Sequence, residues 1–284
     1  MNSENKISII SHRGIDLGEV SITEGTLGAF SYQLSKGFGI EFDVRLSKDE
    51  QIVIAHDPDV ARITSGKDLR SINEITTEEL IHTFAIPSLA QIVSLISQYQ
   101  SSTVISALHI KSEFQYPEFL DLLLSEIEEI DAHTYIIFDL KPQAAEYIKS
   151  KNPKLVLAAS VAHPYDRERY NGEVGATLSS LEEALQNLHL FEWVWLDEWD
   201  RLDEGGRTKT FYNEEIISRA RQNGLKIAAV TPELHKSFKG TPAHSDAQSQ
   251  QALFKRFEEI VNLRPDALCT DFPGILRDIL KKAA

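Results

Sequence analysis

Residues 39–57 read Gly39-Ile-Glu-Phe-Asp-Val-Arg-Leu-Ser-Lys-Asp-Glu-Gln-Ile-Val-Ile-Ala-His-Asp57. The pattern is two short strands joined by the polar turn Ser47-Lys48-Asp49-Glu50. Successive side chains of a strand point to opposite faces, so Glu41 and Asp43 share one face while Ile40, Phe42 and Val44 share the other. On the second strand the apolar run Ile52-Val53-Ile54-Ala55 ends abruptly in His56-Asp57. Two acids on one strand face and a histidine at the end of the next strand are the ingredients of a metal-assisted site.

Outward from this stretch, strand and helix patterns alternate. Before it lie the β-branched run Ile7-Ser-Ile-Ile10, ending at Ser11-His12-Arg13-Gly14, and a helical pattern over 24–36. After it comes a polar, irregular excursion over 58–86, long enough to suggest a functional loop. A helix is then expected from Pro87, a strand over 103–111 and a helix over 116–129. Further strands follow at 135–138, 155–160, 193–196, 226–230 and 267–270, with helices around 142–150, 179–189, 213–223, 247–262 and at the C-terminus. The stretch between the strand at 155–160 and the helix at 179 reads as a polar loop. About eight β-then-α units are the period of an α/β fold of the (β/α)8 TIM-barrel type. A doubly wound open sheet is weakened by the missing glycine-rich loop after the first strand. No repeat or low-complexity linker marks a second domain, so residues 1–284 are expected to form one barrel with a short irregular insertion at about 58–86.

Composition agrees with such a barrel. An apolar fraction of 42% and a charged fraction of 25% over 284 residues suit a soluble globular chain with a sizeable core. The formal net charge of −14 argues against nucleic acid or an anionic membrane as partner, while leaving room for an anionic small molecule in a locally positive pocket. The single cysteine, Cys269, sits in an apolar run and reads as a core residue. The N-terminus lacks a basic region and a long apolar region, and no run approaches the roughly 18–20 apolar residues of a membrane span. A cytoplasmic protein without integral membrane contact is the expectation; nothing in the sequence sets its oligomeric state.

Ionisable residues recur just after the apolar strands: His12-Arg13, Glu41 and Asp43, His56, His109 and Lys111, Asp139, Asp197-Glu198, Glu233 and Thr270-Asp271. In a (β/α)8 barrel these positions converge on one face. Any one of them taken singly reads better as a surface or capping residue; Asp271, ahead of Phe272-Pro273, suits a helix N-cap. Taken together they suggest a divalent cation on Glu41, Asp43 and a third ligand, with Arg13 and Lys111 as the complement to a phosphate. His12 and His56 would form an acid–base pair. These parts describe metal-assisted phosphodiester cleavage. Asp139, Asp197, Trp199 and Glu233 are candidate substrate-facing residues, whereas Trp193 and Trp195 share a strand face and read as core.

The ordered set His12-Arg13-Gly14, Glu24-Gly25-Thr26, Glu41-Phe42-Asp43, His56-Asp57, Ile86-Pro87-Ser88-Leu89 and Thr270-Asp271-Phe272-Pro273 resembles the glycerophosphodiester phosphodiesterase (GDPD) family. The resemblance is densest over residues 7–111 and at the C-terminus. It implies a TIM barrel of the phospholipase-C-like phosphodiesterase type and one divalent metal, Mg²⁺ or Ca²⁺. It also implies hydrolysis of a small glycerophosphodiester to glycerol 3-phosphate and an alcohol. By that likeness His12 and His56 are the acid and base, Arg13 and Lys111 hold phosphate, and Glu41 and Asp43 bind metal. Three positions depart from the family pattern: Gly25 replaces an asparagine, Ala90 a glutamate, and His109 the glutamate that is the third metal ligand. An imidazole in that place brings Mn²⁺ or Zn²⁺ into consideration. The excursion over 58–86 is also shorter than the family's inserted region. Two other readings stay open: a lipid- or glycan-linked phosphodiesterase, and a barrel that binds a phosphate ester without hydrolysing it.

Overall fold

The computed structural model describes residues 7–18, 22–99, 104–173, 175–198, 207, 209–232 and 250–283. Its strands are β1 (Ser8–Ser11), β2 (Gly39–Leu46), β3 (Ile52–Ile54), β4 (Ser106–His109), β5 (Tyr135–Phe138), β6 (Ala158–Ala162), β7 (Trp193–Asp197), β8 (Lys226–Val230) and β9 (Ala267–Thr270). All but β3 pair in parallel, in the order β5-β4-β2-β1-β9-β8-β7-β6. The ring closes where Ile137 of β5 bridges in parallel to Leu157, just ahead of β6. The fold is therefore the (β/α)8 barrel that the alternation implied, with helices following the strands around its outside.

The strands are buried on both faces, as parallel strands under helices must be. Outward-facing residues such as Ile40, Phe42, Val44, Leu108 and Val194 join one continuous core with the helices. Inside the ring a second cluster sets Phe138, Trp193 and Trp195 against the small Ala107, Ala158, Ala228 and Ala267. Large rings from β5 and β7 fill the room that alanines on their neighbours β4, β6 and β8, and on β9, leave inside the ring. Phe138 and Trp195 stack with centroids 4.0 Å apart and planes 14° from parallel. Trp193, Trp195 and Cys269 are thus core residues, as the sequence suggested.

β2 holds the key position. Its first half lies between β1 and β4, in a register that sets Glu41 against Ala107 and Asp43 against His109. Its second half leaves the ring and pairs antiparallel with β3, Val44 with Ile54 and Leu46 with Ile52. That hairpin brings the chain back over the barrel mouth, and the Ala55 N–H donates to the Asp43 carbonyl at 3.1 Å. The excursion beyond it packs on a small core of its own, made by Val53, Val60, Ile72, Ile75, Leu80 and Ile86.

One stretch expected to be a loop is helical. Residues Pro164–Glu173 form a helix with little apolar periodicity, so the hydrophobic pattern could not announce it. It is held largely by polar contacts, with Asp166 in a buried ion pair with Lys209 and Asn171 exchanging two 2.8 Å hydrogen bonds with the backbone of Leu178, and by one buried ring, Tyr170, packed with Ala162 and Leu178. The preceding strand lies later than expected, at Ala158–Ala162. No helix among the described residues is long and apolar enough to cross a membrane.

Gly39 permits the β2–β4 contact that sets the site's register. A Cβ added there would lie 1.8 Å from the Ile105 carbonyl oxygen, so a side chain forces the two strands apart. Gly39→Ala is expected to cost about 2–3 kcal/mol, the range of overpacked cores, read as a lowered midpoint in urea unfolding. An unchanged midpoint would show that β2 and β4 tolerate separation at this point.

Candidate active site

The C-terminal ends of β1, β2, β4 and β9 converge with the β2–β3 hairpin on one region of the barrel mouth. After β1 the chain makes a tight turn over His12–Gly14, with Arg13 in the left-handed region at φ 49°. The turn is fixed from two sides: the Arg13 N–H donates to Glu41 Oε2 at 3.3 Å, and the Gly25 N–H donates to the Arg13 carbonyl at 2.8 Å. Gly25 has φ 68°, a conformation that glycine and asparagine adopt most easily, which accounts for glycine here. The His12 ring faces two acids. Asp271, fully buried just after β9, accepts from Nδ1 at 2.8 Å, while Nε2 lies 3.9 Å from Glu41 Oε2. Asp271 thus serves His12, where the sequence suggested a helix cap.

Glu41, Asp43 and His109 form the centre of the region. One ligand atom from each lies within 4.8 Å of the others, and both carboxylates are almost wholly buried. Burial and the neighbouring Asp43 raise the pKa of Glu41 above the usual carboxylate range. Burial acts on Asp43 in the same direction, but Lys111, His56 and His109 outweigh it and hold Asp43 well below that range. Lys111 Nζ lies 3.0 Å from Asp43 Oδ1 and Arg13 Nε 3.8 Å from Oδ2. Two buried acids and an imidazole in one cluster fit a divalent cation as a donor set.

His109 is the most constrained member. Its Nδ1 is 2.8 Å from Asp43 Oδ1 and its Nε2 is 2.9 Å from Asp139 Oδ2. Its ring stacks on Phe138 with centroids 4.8 Å apart. Burial and Lys111 oppose protonation of the ring, yet Asp139 and Asp43 prevail and push its pKa up to about 9.

His56, at the end of the hairpin, is anchored by Asp57, which accepts from Nδ1 at 2.8 Å. Asp57 accepts in turn from Arg62 Nε at 2.5 Å, and Arg62 pairs with Glu24. The His56 carbonyl accepts from Arg45 Nε and Nη2 at 3.1 and 2.9 Å, which ties the backbone of the histidine to β2. Burial, Arg13 and Lys111 lower the His56 pKa to about 3, so the ring is neutral across the physiological range. Beside it opens a cavity of about 500 Å³ lined by Arg13, Glu24, His56, Asp57, Arg62 and Phe84, among others. Its volume suits a small ligand. The excursion over 58–86 therefore forms one wall of the site.

Seven of the residues singled out from the sequence lie in this region: His12, Arg13, Glu41, Asp43, His56, His109 and Lys111. Asp139 lies behind His109, 6% exposed, with Oδ1 accepting from Thr177 N and Oγ1 at 3.0 and 2.6 Å. Asp197 ends β7, four strands from β2 in either direction around the ring. Trp199 and Glu233 lie outside the described residues. Sequence reasoning gave no role to Asp57, Arg62, Glu24 or Thr177. The first three stand within or beside the motifs already noticed, whereas Thr177 sits in an unpatterned stretch with no signal of its own.

The chain matches the model of the Glycerophosphoryl diester phosphodiesterase family over residues 12–275. It is similar to a glycerophosphodiester phosphodiesterase of Bacillus altitudinis, 30% identical over 142 residues, which cover 45% of this chain and 56% of that protein. The chain thus spans little more than half the length of the curated relatives it matches. Its fold is similar to a solved glycerophosphoryl diester phosphodiesterase from Parabacteroides distasonis, with TM-score 0.67 and 18% identity over 99% of this chain and 89% of that one. It is also similar to an Oleispira antarctica phosphodiesterase solved in complex with the product sn-glycerol-3-phosphate, with TM-score 0.65 and 19% identity over 96% of each chain. Both structural likenesses are likenesses of fold.

Proposed function

The chain belongs to the glycerophosphoryl diester phosphodiesterase family, and on that premise we propose that it hydrolyses a small glycerophosphodiester to glycerol 3-phosphate and an alcohol. The observation that carries this reading is a pair of imidazoles at one acidic cluster, each with Nδ1 tied to its own carboxylate. Asp271 and Asp57 accept from the Nδ1 atoms of His12 and His56, which orients both rings with Nε2 directed away from these two carboxylates.

Arg13 and Lys111 supply the positive charge that receives the phosphate beside Asp43. His56, neutral through burial and its cationic neighbours, is in the state that accepts a proton. A hydroxyl attacks phosphorus while His56 Nε2 takes its proton; it is that of water, or that of the glycerol itself, in which case water opens the resulting cyclic phosphate in a second step with the two histidines exchanging roles. The bond from phosphorus to the leaving alcohol breaks while His12 Nε2 gives a proton to that oxygen. Glu41, Asp43 and His109 would hold a divalent cation. Bound there, such an ion would draw charge from the phosphate oxygens as it builds up.

The test is hydrolysis of glycerophosphocholine, glycerophosphoethanolamine and bis(p-nitrophenyl) phosphate across Mg²⁺, Mn²⁺, Ca²⁺ and Zn²⁺, with His12→Ala as control. Turnover should require a divalent ion and disappear on chelation. Phosphate-ester binding without turnover under any ion would make the protein a binding barrel, and turnover of lipid diesters alone would make it a lipid phosphodiesterase.

Two variants examine the residue roles. Glu41→Gln should abolish the metal-dependent rate, and full activity in that variant would sink the cluster's assignment. His56→Ala should lower kcat by about 10²–10⁴-fold, the usual worth of a positioned acid or base. Asp57→Ala should lower it by less, because His56 remains and loses only its anchor. An Asp57→Ala loss as large as that of His56→Ala would mean that Asp57 takes part in the proton transfer directly.

A further inference from the structure

We propose that Asp139 is a positioning residue that selects Nδ1 of His109 as the metal-ligating atom, an inference that rests on the metal reading of the Glu41–Asp43–His109 cluster. His109 offers two nitrogens facing opposite ways. Nδ1 lies in the cluster, 2.8 Å from Asp43 Oδ1, and Nε2 points away from it to Asp139 Oδ2 at 2.9 Å. Carboxylates only accept hydrogen bonds, so in the metal-free ring both nitrogens carry hydrogen, Nδ1 donating to Asp43 and Nε2 to Asp139. A cation held by Glu41 and Asp43 would displace the Nδ1 hydrogen, whereas Asp139, outside the cluster, keeps the one on Nε2, so the Nδ1 lone pair would be the one turned to the ion.

Asp139 is built for this task. It sits just past β5 in the left-handed region at φ 62°, a conformation uncommon for residues other than glycine. Each of its polar groups has a partner. The N–H donates to Ser160 Oγ at 3.1 Å, and the carbonyl accepts from Gln115 Nε2 at 2.5 Å. Oδ1 accepts from Thr177 N and Oγ1 at 3.0 and 2.6 Å, which leaves Oδ2 for His109. Ring stacking completes the arrangement: His109 lies 19° from parallel on Phe138, and Phe138 lies on Trp195. The plane, tilt and hydrogen of the imidazole are all set from outside the cluster.

The ligand class follows. Two carboxylates with one preoriented imidazole nitrogen favour Mn²⁺, Zn²⁺ and similar borderline ions over Mg²⁺ and Ca²⁺.

Asp139→Asn isolates the effect. The Thr177 N–H needs an acceptor, so the amide oxygen must take the Oδ1 place and its NH₂ must face His109. That NH₂ donates to Nε2, which drives the ring hydrogen onto Nδ1 and blocks it as a ligand. Mn²⁺ binding followed by EPR, with pulsed EPR for directly bound nitrogen, reads the result without any activity measurement. Wild type should show a bound nitrogen. Asp139→Asn should weaken Mn²⁺ binding about 10–100-fold, the range for residues that orient a ligand, and lose the nitrogen signal. In a His109→Glu background the same change should alter affinity by less than about threefold, since a carboxylate ligand has no tautomer to set.

Binding that Glu41→Gln abolishes, but with no coordinated nitrogen in wild type, overturns the inference and leaves the metal site standing. Absence of Mn²⁺ binding, or binding indifferent to Glu41→Gln, overturns both. An equal loss on Asp139→Asn in the two backgrounds reduces Asp139 to a structural residue and overturns the inference. If Asp139→Asn fails to fold, ¹⁵N NMR of the Zn²⁺-loaded wild type decides: the ring hydrogen of His109 is expected on Nε2, and a hydrogen on Nδ1 overturns the inference.

Discussion

Two carboxylates on one face of a strand, sealed inside a barrel, are unstable as a pair of anions unless positive charge is brought to them. Burial and repulsion work together on Glu41, and they would do so on Asp43 were it not for Lys111 and His109. The other groups at the mouth can be read as answers to this constraint. β1 delivers Arg13, whose N–H reaches Glu41 and whose guanidinium approaches Asp43. The chain from β4 delivers His109 and then, one turn of the pleat later, Lys111. A protein of net charge −14 thereby holds a small region in which cations gather around two acids. Buried acids with cations around them are the arrangement that the proposed phosphodiester chemistry asks of a site.

The ring is divided by this demand. β1, β2, β4 and β9 carry or lead into the acids, the histidines and the lysine, and they are neighbours in the sheet. Across the ring, β7 fills the interior with Trp193 and Trp195. The division explains why Asp197, at a strand end like the others, does not join the cluster. A strand end places a residue on the functional face, but the strand's position around the ring decides which neighbours it meets.

That distinction also marks how far the site was legible in the sequence. The period-two pattern of β2 and the residues after β1, β3 and β4 placed His12, Glu41, Asp43, His56 and Lys111 without any knowledge of the fold's closure. What the pattern lacked were partners that depend on closure or on unpatterned backbone. Asp271 meets His12 because β9 lies beside β1, an adjacency between the two ends of the chain that local reading does not supply. Thr177 meets Asp139 because a largely polar helix, held by the Asp166–Lys209 pair and by Asn171, folds the chain back after β6. Hydrophobic periodicity is silent about an element stabilised in that way. The barrel itself was legible because its strands carry their signal in short apolar runs that need no partner to be seen.

The packing separates what must stay fixed from what can vary. His109 rests on Phe138, and Phe138 on Trp195, so the geometry at the acidic cluster is continuous with the stacked interior of the barrel. Displacing either ring would move the imidazole relative to Asp43, because close-packed interiors transmit small shifts rather than absorb them. The wall of the cavity follows a different rule. The excursion over 58–86 has its own apolar cluster, and it touches the machinery chiefly through the β3 end of the hairpin and the Arg62–Asp57–Glu24 contacts. Changes within that cluster can reshape the cavity beside His56 while β2 and β4 keep their register. In the proposed reaction His12 and the acidic cluster thus belong to the ring and His56 to the hairpin, while the cavity wall beside His56 belongs to a segment with an apolar core of its own.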